Sequence, residues 1–284
     1  MIKGSRQLMD LIKKRVGSES GKVQATLRLY AMERFLARLA RSPWHSCFII
    51  KGGALVVALV GVDMRSTMDI DATITGIDLS AETISSVIRD ICGIDADDGM
   101  TFIFKGTEDI MEGHAYSGIR VAMEARIDRT RIPMKLDFST GDAVTPQAVE
   151  FGYPLLLEPG TIKVNAYNLE TLLAEKLETA LSLGTVNTRM RDFYDMHVLL
   201  EHYRDRIRPA ILIEAFRATC ESRATGIVAQ QGPEIIDEIR MSAHMSGQWD
   251  RYRSRFSYAA HITWHDATQS AKVLLNAIAS CRMP

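Results

Sequence analysis

The stretch FIIKGGALVVALVGVDMRSTMDIDATI, residues 48–74, holds two apolar runs, a double glycine and an alternating acidic segment. Cys47-Phe48-Ile49-Ile50 is short enough for a buried strand, and it breaks at Lys51-Gly52-Gly53 before the apolar run Ala54 to Val60. The sequence therefore predicts strand, tight turn, helix. Gly61 stands where a helix C′ residue would. A polar loop then leads to Met68-Asp69-Ile70-Asp71-Ala72-Thr73-Ile74, which alternates with period two. In a strand Asp69 and Asp71 share one face, about 7 Å apart after two steps of ~3.3 Å, while Ile70, Ala72 and Ile74 point to the core.

Two carboxylates on one strand face, near a glycine turn at a helix start, make a specific chemical combination. The turn offers backbone N–H groups and a positive dipole end to a phosphate. Paired Asp oxygens suit Mg²⁺, with Mn²⁺ as the alternative, because such hard cations reach proteins through one or two carboxylates plus substrate phosphates. Together they describe a nucleoside triphosphate (NTP) held by amides and metal. A D-x-D alone reads first as the solvated face of an edge strand; Gly52-Gly53 and Arg65 beside it shift the reading toward the phosphate site.

Lys51-Gly52-Gly53-Ala54-Leu55 followed by Arg65-x-Thr67-x-Asp69-Ile70-Asp71 resembles the signature of the AbiEii/MenT-like nucleotidyltransferase toxins of the DNA polymerase beta-like superfamily. A second block, Ala174-Glu175-Lys176-Leu177 and Arg191-Asp192-Phe193-Tyr194-Asp195, is similar to the family's A-E-K and R-D-x-x-D segments. The resemblance spans roughly residues 46–200. It implies an α+β fold, a polymerase-beta-like core of mixed sheet flanked by helices with a helical C-terminal half. It also implies metal-dependent nucleotidyl transfer. Asp69 and Asp71 would hold Mg²⁺, and Gly52 and Gly53 would cradle the triphosphate. Lys51, Arg65, Thr67, Lys176, Arg189 and Arg191 would line the nucleotide.

Composition sets no competing constraint. The 284 residues are 46% hydrophobic and 24% charged, with a net charge of -1, so no global basic field marks a nucleic-acid binder and any RNA contact requires a local patch. Cys47, Cys92, Cys220 and Cys281 are scattered without a C-x-x-C pair, which fits a reducing cytoplasm. No signal pattern or membrane span is read. Walker A, dinucleotide-binding and nucleophile-elbow motifs are absent.

Residues 1–45 read as two N-terminal helices separated at Gly17 to Gly21. Of Arg28, Arg34, Arg38 and Arg41 on the second, most are assigned to a solvated face, with RNA contact as the minority reading. The nucleotidyltransferase core is placed at 46–158. Ser80 caps a helix through Cys92 with Ile84, Val87, Ile88 and Ile91 inward. Asp95, Asp97, Asp98 and Gly99 form a turn. Strands follow at Thr101–Phe104 and Ile119–Ala125. In Ile132 to Ser139, Met134, Leu136 and Phe138 alternate with Lys135, Asp137 and Ser139. By the resemblance, Asp137 becomes the third metal carboxylate, able to take a proton from the attacking hydroxyl. Leu155-Leu156-Leu157 reads as a short strand.

A helical domain is placed at 159–284 and is expected to complete the active-site cleft. Asn168 caps a helix from Leu169 to Leu183, closed by Gly184. Lys176 lies beside its apolar face, where a lysine either snorkels to water or binds triphosphate; the A-E-K match favours the second. Asp192 and Asp195 are three apart on the next helix and have either a structural, lysine-orienting role or a catalytic one. His261 and His265 lack the Glu and third ligand of a zinc site. Arg251, Arg253 and Arg255 alternate with Trp249, Tyr252, Phe256 and Tyr258, a mix suited to single-stranded RNA or to a solvated helix surface.

By resemblance the acceptor is the 3′ end of tRNA, its modification blocks translation, and a cognate antitoxin accompanies the toxin in bacterial stress or phage defence (abortive infection). The alternatives are transfer to a protein or small molecule, and a catalytically silent nucleotide-binding protein of the same fold.

Overall fold

The computed structural model describes residues 2–67, 69–112 and 116–280. Met68 and Cys281, both part of the reading above, lie outside the described residues. The chain divides into two compact units. The first comprises Met1–Val62, Ser66–Gly141 and Val149–Ala166, and the second comprises Asp63–Arg65, Asp142–Ala148 and Tyr167–Pro284.

The first unit is built on a mixed seven-stranded sheet among the described residues. Its strands are β1 (Phe48–Lys51), β2 (Asp69–Ile74), β3 (Met100–Glu112), β4 (Tyr116–Ile127), β5 (Thr130–Ser139), β6 (Val149–Pro154) and β7 (Thr161–Ala166), in the order β3-β4-β5-β2-β1-β7-β6. β2 runs parallel to β5 and β1 parallel to β7; the other pairs are antiparallel. Helices α2 (Ser20–Leu39), α3 (Gly52–Val60) and α4 (Ala81–Cys92) pack on it, and α1 (Ser5–Val16) packs on α2.

Local signals explain most of these elements. Gly61 ends α3 at φ 93°, its N–H donating to Val57 O. The Ser80 hydroxyl caps α4 by accepting from Thr83 N–H, and Ile84, Val87, Ile88 and Ile91 are its buried residues, as their spacing predicts. β2 buries Ile70, Ala72 and Ile74 while Asp69 and Asp71 stay half-buried, and Phe48 of β1 meets Phe138 of β5 edge to face at 5.3 Å.

Two expectations need correction. Leu155-Leu156-Leu157 is not a strand: it lies in the connection between β6 and β7, closed by Leu155 N–H donating to Gly160 O at 3.0 Å. Its middle residue is gripped from the helices, where Arg15 Nη1 donates to Leu156 O at 3.0 Å and Glu33 accepts from Leu156 N–H. Nor are Arg34 and Arg38 on a solvated face, for both are buried. Arg38 forks onto Asp98 at 2.9 and 2.8 Å, donates to Met100 O and lies over the Phe102 ring at 4.8 Å. The acidic turn thus supplies the counter-ion that lets an arginine enter the core.

The second unit is helical, with α5 (Leu169–Leu183), α6 (Met190–Tyr203), α7 (Pro209–Ser222), α8 (Gly226–Met241), α9 (Ala243–Arg255) and α10 (Trp264–Ser280). The Asn168 side chain caps α5 by accepting from Thr171 N–H at 2.8 Å and donates in turn to Thr145 O at 2.6 Å. α5 packs on α6 and α7, and α10 on α6 and α8.

Candidate active site

Sheet register assembles a row of charges across five strands of the first unit. Lys51 of β1 faces Asp71 of β2, Asp71 faces Asp137 of β5, Asp137 faces Arg120 of β4, and Arg120 faces Glu108 of β3. Residues paired in register project to the same side of a sheet, so the row lies on one face. Asp69, two positions before Asp71, joins that face. Lys51 is buried in spite of its charge, with 3% of its surface exposed, and it stands opposite a carboxylate as a buried cation must.

The start of α3 is shaped around Asp71. Gly52 adopts φ +59°, and Gly53 N–H donates to Asp71 Oδ2 at 3.1 Å. The helix N-terminus thus offers its free donors toward negative charge on this face, as the sequence suggests, and Asp71 itself takes one of them. The Thr67 hydroxyl donates to Asp69 O at 3.3 Å, which ties the entry of β2.

Asp137 is held differently. Arg120 Nε donates to its Oδ1 at 2.8 Å and Nη2 to its Oδ2 at 2.7 Å, a bidentate fork, while Nη1 lies 3.5 Å from Glu108. Among the described residues no three His, Cys, Asp or Glu side chains converge as a metal site. The donor chemistry still fits a hard divalent ion. Asp69 and Asp71 supply only carboxylate oxygens, and the Arg120 guanidinium already acts as a cation in the combined field of Asp137, Glu108 and Asp69.

The second unit carries its own ion cluster. Arg65 donates to both oxygens of Asp195, at 2.6 and 3.1 Å. Lys176 Nζ, from α5, donates to Asp192 Oδ1 at 3.0 Å and Asp195 Oδ2 at 2.6 Å, and Arg189 Nε donates to Asp192 Oδ2 at 2.7 Å. Lys176, Arg65, Asp192 and Asp195 are all buried. Burial is the strongest influence on the Asp192 carboxyl and opposes its ionisation, yet Lys176 and Arg189 together outweigh it and bring the group down to about 2. For Asp195, Arg65 and Lys176 overcome the same burial and lower the carboxyl. The Lys176 ammonium is raised: burial alone would lower it, and Asp195 with Asp192 prevails.

Compared with known proteins, residues 34–271 match the family described as nucleotidyl transferase AbiEii toxin, type IV TA system. The chain belongs to the AbiEii nucleotidyltransferase toxin family. It is similar in structure to MenT4, a nucleotidyltransferase toxin from Mycobacterium tuberculosis H37Rv. That likeness has 14% identity, a TM-score of 0.54 and coverage of 97% of this chain and 99% of that one. JHP933 from Helicobacter pylori is 14% identical over 90% of this chain and 94% of that one, with a TM-score of 0.48. No curated protein matches in sequence. At 14% identity the MenT4 likeness concerns the fold, and it agrees with a mixed sheet flanked by helices. Membership in a toxin–antitoxin family implies a cognate antitoxin as partner. No helix among the described residues is long and apolar enough to cross a membrane.

In this AbiEii-family chain the site residues named from sequence fall into two groups. Lys51, Gly52, Gly53, Thr67, Asp69, Asp71 and Asp137 gather in the first unit, and Arg65, Lys176, Arg189, Asp192 and Asp195 in the second. Arg191 joins neither ion network. Its guanidinium lies 5.6 Å from the Phe256 ring centroid, and that of Arg255 lies 5.4 Å from the same centroid. Trp249 and Tyr252, two of the aromatics suited by sequence to stacking on RNA bases, are buried instead. The Tyr252 hydroxyl bonds that of Tyr258 at 3.2 Å and its ring packs on Phe256. Sequence reasoning passed over Arg120. Counting outward from the Asp128-Arg129 turn pairs Arg120 with Asp137, and that register was the available signal.

Proposed function

We propose that this protein transfers a nucleoside monophosphate from an NTP to the 3′ end of tRNA, releasing pyrophosphate and blocking translation in the cytoplasm. The observation that carries this reading is the charged row with Asp69 beside it: acidic ligands, a glycine-started helix and a buried lysine share one sheet face. A Mg²⁺ or Mn²⁺ ion held by Asp69 and Asp71 would ligate the phosphates and neutralise charge on the departing pyrophosphate.

This chain's own groups do the rest. The Gly52-Gly53 amides, Lys51 and Thr67 hold the triphosphate. Asp137 positions the acceptor hydroxyl and takes its proton as the new O–P bond forms at the α-phosphorus and the bond to pyrophosphate breaks. In the second unit Asp192 and Asp195 fix Lys176 and Arg65 as oriented positive charges. The RNA acceptor is favoured by Arg191 and Arg255: both are exposed, and among the described residues neither guanidinium has a carboxylate partner. Cations held on an aromatic ring and free of carboxylates suit a phosphate backbone.

The test is transfer of α-³²P label from each NTP to total tRNA with Mg²⁺, comparing wild type with Asp71→Ala. Label lost in the folded variant supports the reading. Label on protein or a small molecule instead of RNA overturns the acceptor, and Mg²⁺–NTP binding without turnover on any acceptor overturns the reaction.

A further inference from the structure

We infer that the open sheet face of β4 and β5 running away from Asp137 binds the phosphate backbone of the acceptor RNA strand, with Lys135 and Arg131 as its principal contacts. This rests on the RNA-acceptor reading above. Along β5, Arg131, Pro133 and Lys135 are exposed and alternate with the buried Ile132, Met134 and Leu136, and Asp137 ends the same strand face. At ~3.3 Å per residue, Lys135 stands about 7 Å and Arg131 about 20 Å from Asp137 along the strand. The group proposed to meet the acceptor hydroxyl therefore shares one strand face with two solvent-facing cations.

The fold does not neutralise these cations. Among the described residues neither Lys135 nor Arg131 forms a salt bridge. Across β4, Ala122 faces Lys135, Glu124 faces Pro133, and Arg126 faces Arg131. Like charges directly opposite on a sheet are unfavourable, so the Arg126–Arg131 pair calls for an anion. Glu124 supplies too little. Arg126 bonds it, Lys105 comes within 4.0 Å, and after these two Arg131 adds to the field that holds its carboxyl below the usual range. Cations thus outnumber carboxylates on this stretch, in a chain whose net charge is only -1. A polyanion with a phosphate at every nucleotide meets such a strand face repeatedly, whereas a triphosphate seated at Gly52-Gly53 does not extend to Arg131. The small Ala122 and the flat Pro133 between the cations leave a backbone room to lie on the sheet, and contacts of this kind read phosphate rather than base.

The test is binding of fluorescently labelled tRNA to the full chain without NTP, between about 50 and 200 mM salt, beside steady-state transfer. The variants are Arg131→Gln/Lys135→Gln, Lys135→Arg, and Lys13→Gln/Lys14→Gln, which removes two exposed charges from α1. Circular dichroism checks each fold, and each single substitution stands in if the β5 pair does not fold. The β5 pair is expected to lose about tenfold in tRNA affinity and to lower the slope of log affinity against log salt by about 1.4, at ~0.7 per single-strand phosphate contact. KM for tRNA rises to match while KM for NTP stays, and Lys135→Arg and the α1 pair behave as wild type. Wild type that labels RNA, beside a β5 pair that binds and transfers equally well, overturns the inference and leaves the RNA acceptor standing. A rise in KM for NTP with an unaltered tRNA slope also overturns it and assigns Lys135 to the triphosphate. An equal loss in the α1 pair overturns it because RNA then responds to total charge and not to this face. Wild type that neither binds nor labels RNA overturns the acceptor reading, and the inference with it.

Discussion

A Cβ on Gly52 would lie 2.3 Å from Asp71 Oδ2, so the carboxylate occupies space that residue 52 leaves free only by being glycine. The positive φ of 59° adds a second reason, because side chains carry a cost of about 1–2 kcal/mol in that region. Gly52→Ala is expected to lower the melting temperature by several degrees and, by displacing Asp71, to reduce nucleotide transfer on the order of 100-fold. Thermal melting and labelled-NTP transfer measure the two effects. Full activity in a destabilised Gly52→Ala protein would show that the position of Asp71 does not matter to the chemistry.

Lys176 tests whether the second cluster is a scaffold. Its ammonium is enclosed by Asp192 and Asp195 and has little exposure. Lys176→Met leaves two buried carboxylates short of a partner, an alteration that costs about 3–5 kcal/mol where measured. Urea unfolding is expected to show a loss of that order, with the Lys176→Met/Asp192→Asn pair recovering part of it. A lysine that served only the nucleotide would lose activity with no shift of the midpoint.

Acid should unfold this unit through the same carboxylates. Asp192 is held down to about 2 in the folded chain against an ordinary 3.8, and Asp195 is lowered as well. A depressed carboxyl contributes stability above its unfolded value and loses it as pH falls through the folded one, here between about pH 4 and pH 2. Glu33 has the opposite sign. Burial raises the carboxyl of this first-unit residue above 4.5 against the pull of Arg34, so its contribution is full below about pH 4.5 and weakens as pH rises above that value. Urea midpoints from pH 2 to pH 6 should therefore fall steeply at the acid end, and the fall should flatten in Asp192→Asn.

What could be read from sequence follows from how far apart the interacting residues are. The caps at Ser80 and Asn168 and the stop at Gly61 are local, each settled within four residues, and they form as read. The alternation of Asp69 to Ile74 likewise fixes its own inner and outer faces. β6 escaped because an edge strand alternates weakly: Val149, Glu150, Gly152 and Pro154 are all exposed. The neighbouring leucines drew the assignment to the turn instead. Arg38 was read as solvated because its partner Asp98 lies 60 residues away, and nothing in the spacing of one helix reports a counter-ion on a distant turn. Asp137 was legible as a carboxylate on a strand, but its capture by Arg120 required the register of the β4–β5 hairpin.

Arg191 and Arg255 separate acceptor binding from stability. Each is exposed, each lies over Phe256, and neither guanidinium has a salt bridge among the described residues. Replacing both with Gln removes two cations and leaves the buried ion network intact, so the melting temperature should move little. If they grip RNA phosphates, the double variant should raise KM for tRNA roughly tenfold with KM for NTP unchanged. It should also reduce the slope of log affinity against log salt by about one to two. Fluorescence anisotropy of labelled tRNA between 50 and 200 mM salt, ranges over which such contacts weaken strongly, gives the slope, and steady-state transfer gives the two KM values. A rise in KM for NTP with an unaltered tRNA slope would assign Arg191 to the nucleotide instead, and wild-type behaviour in both would leave the pair as ornament to the Phe256 surface with RNA bound elsewhere.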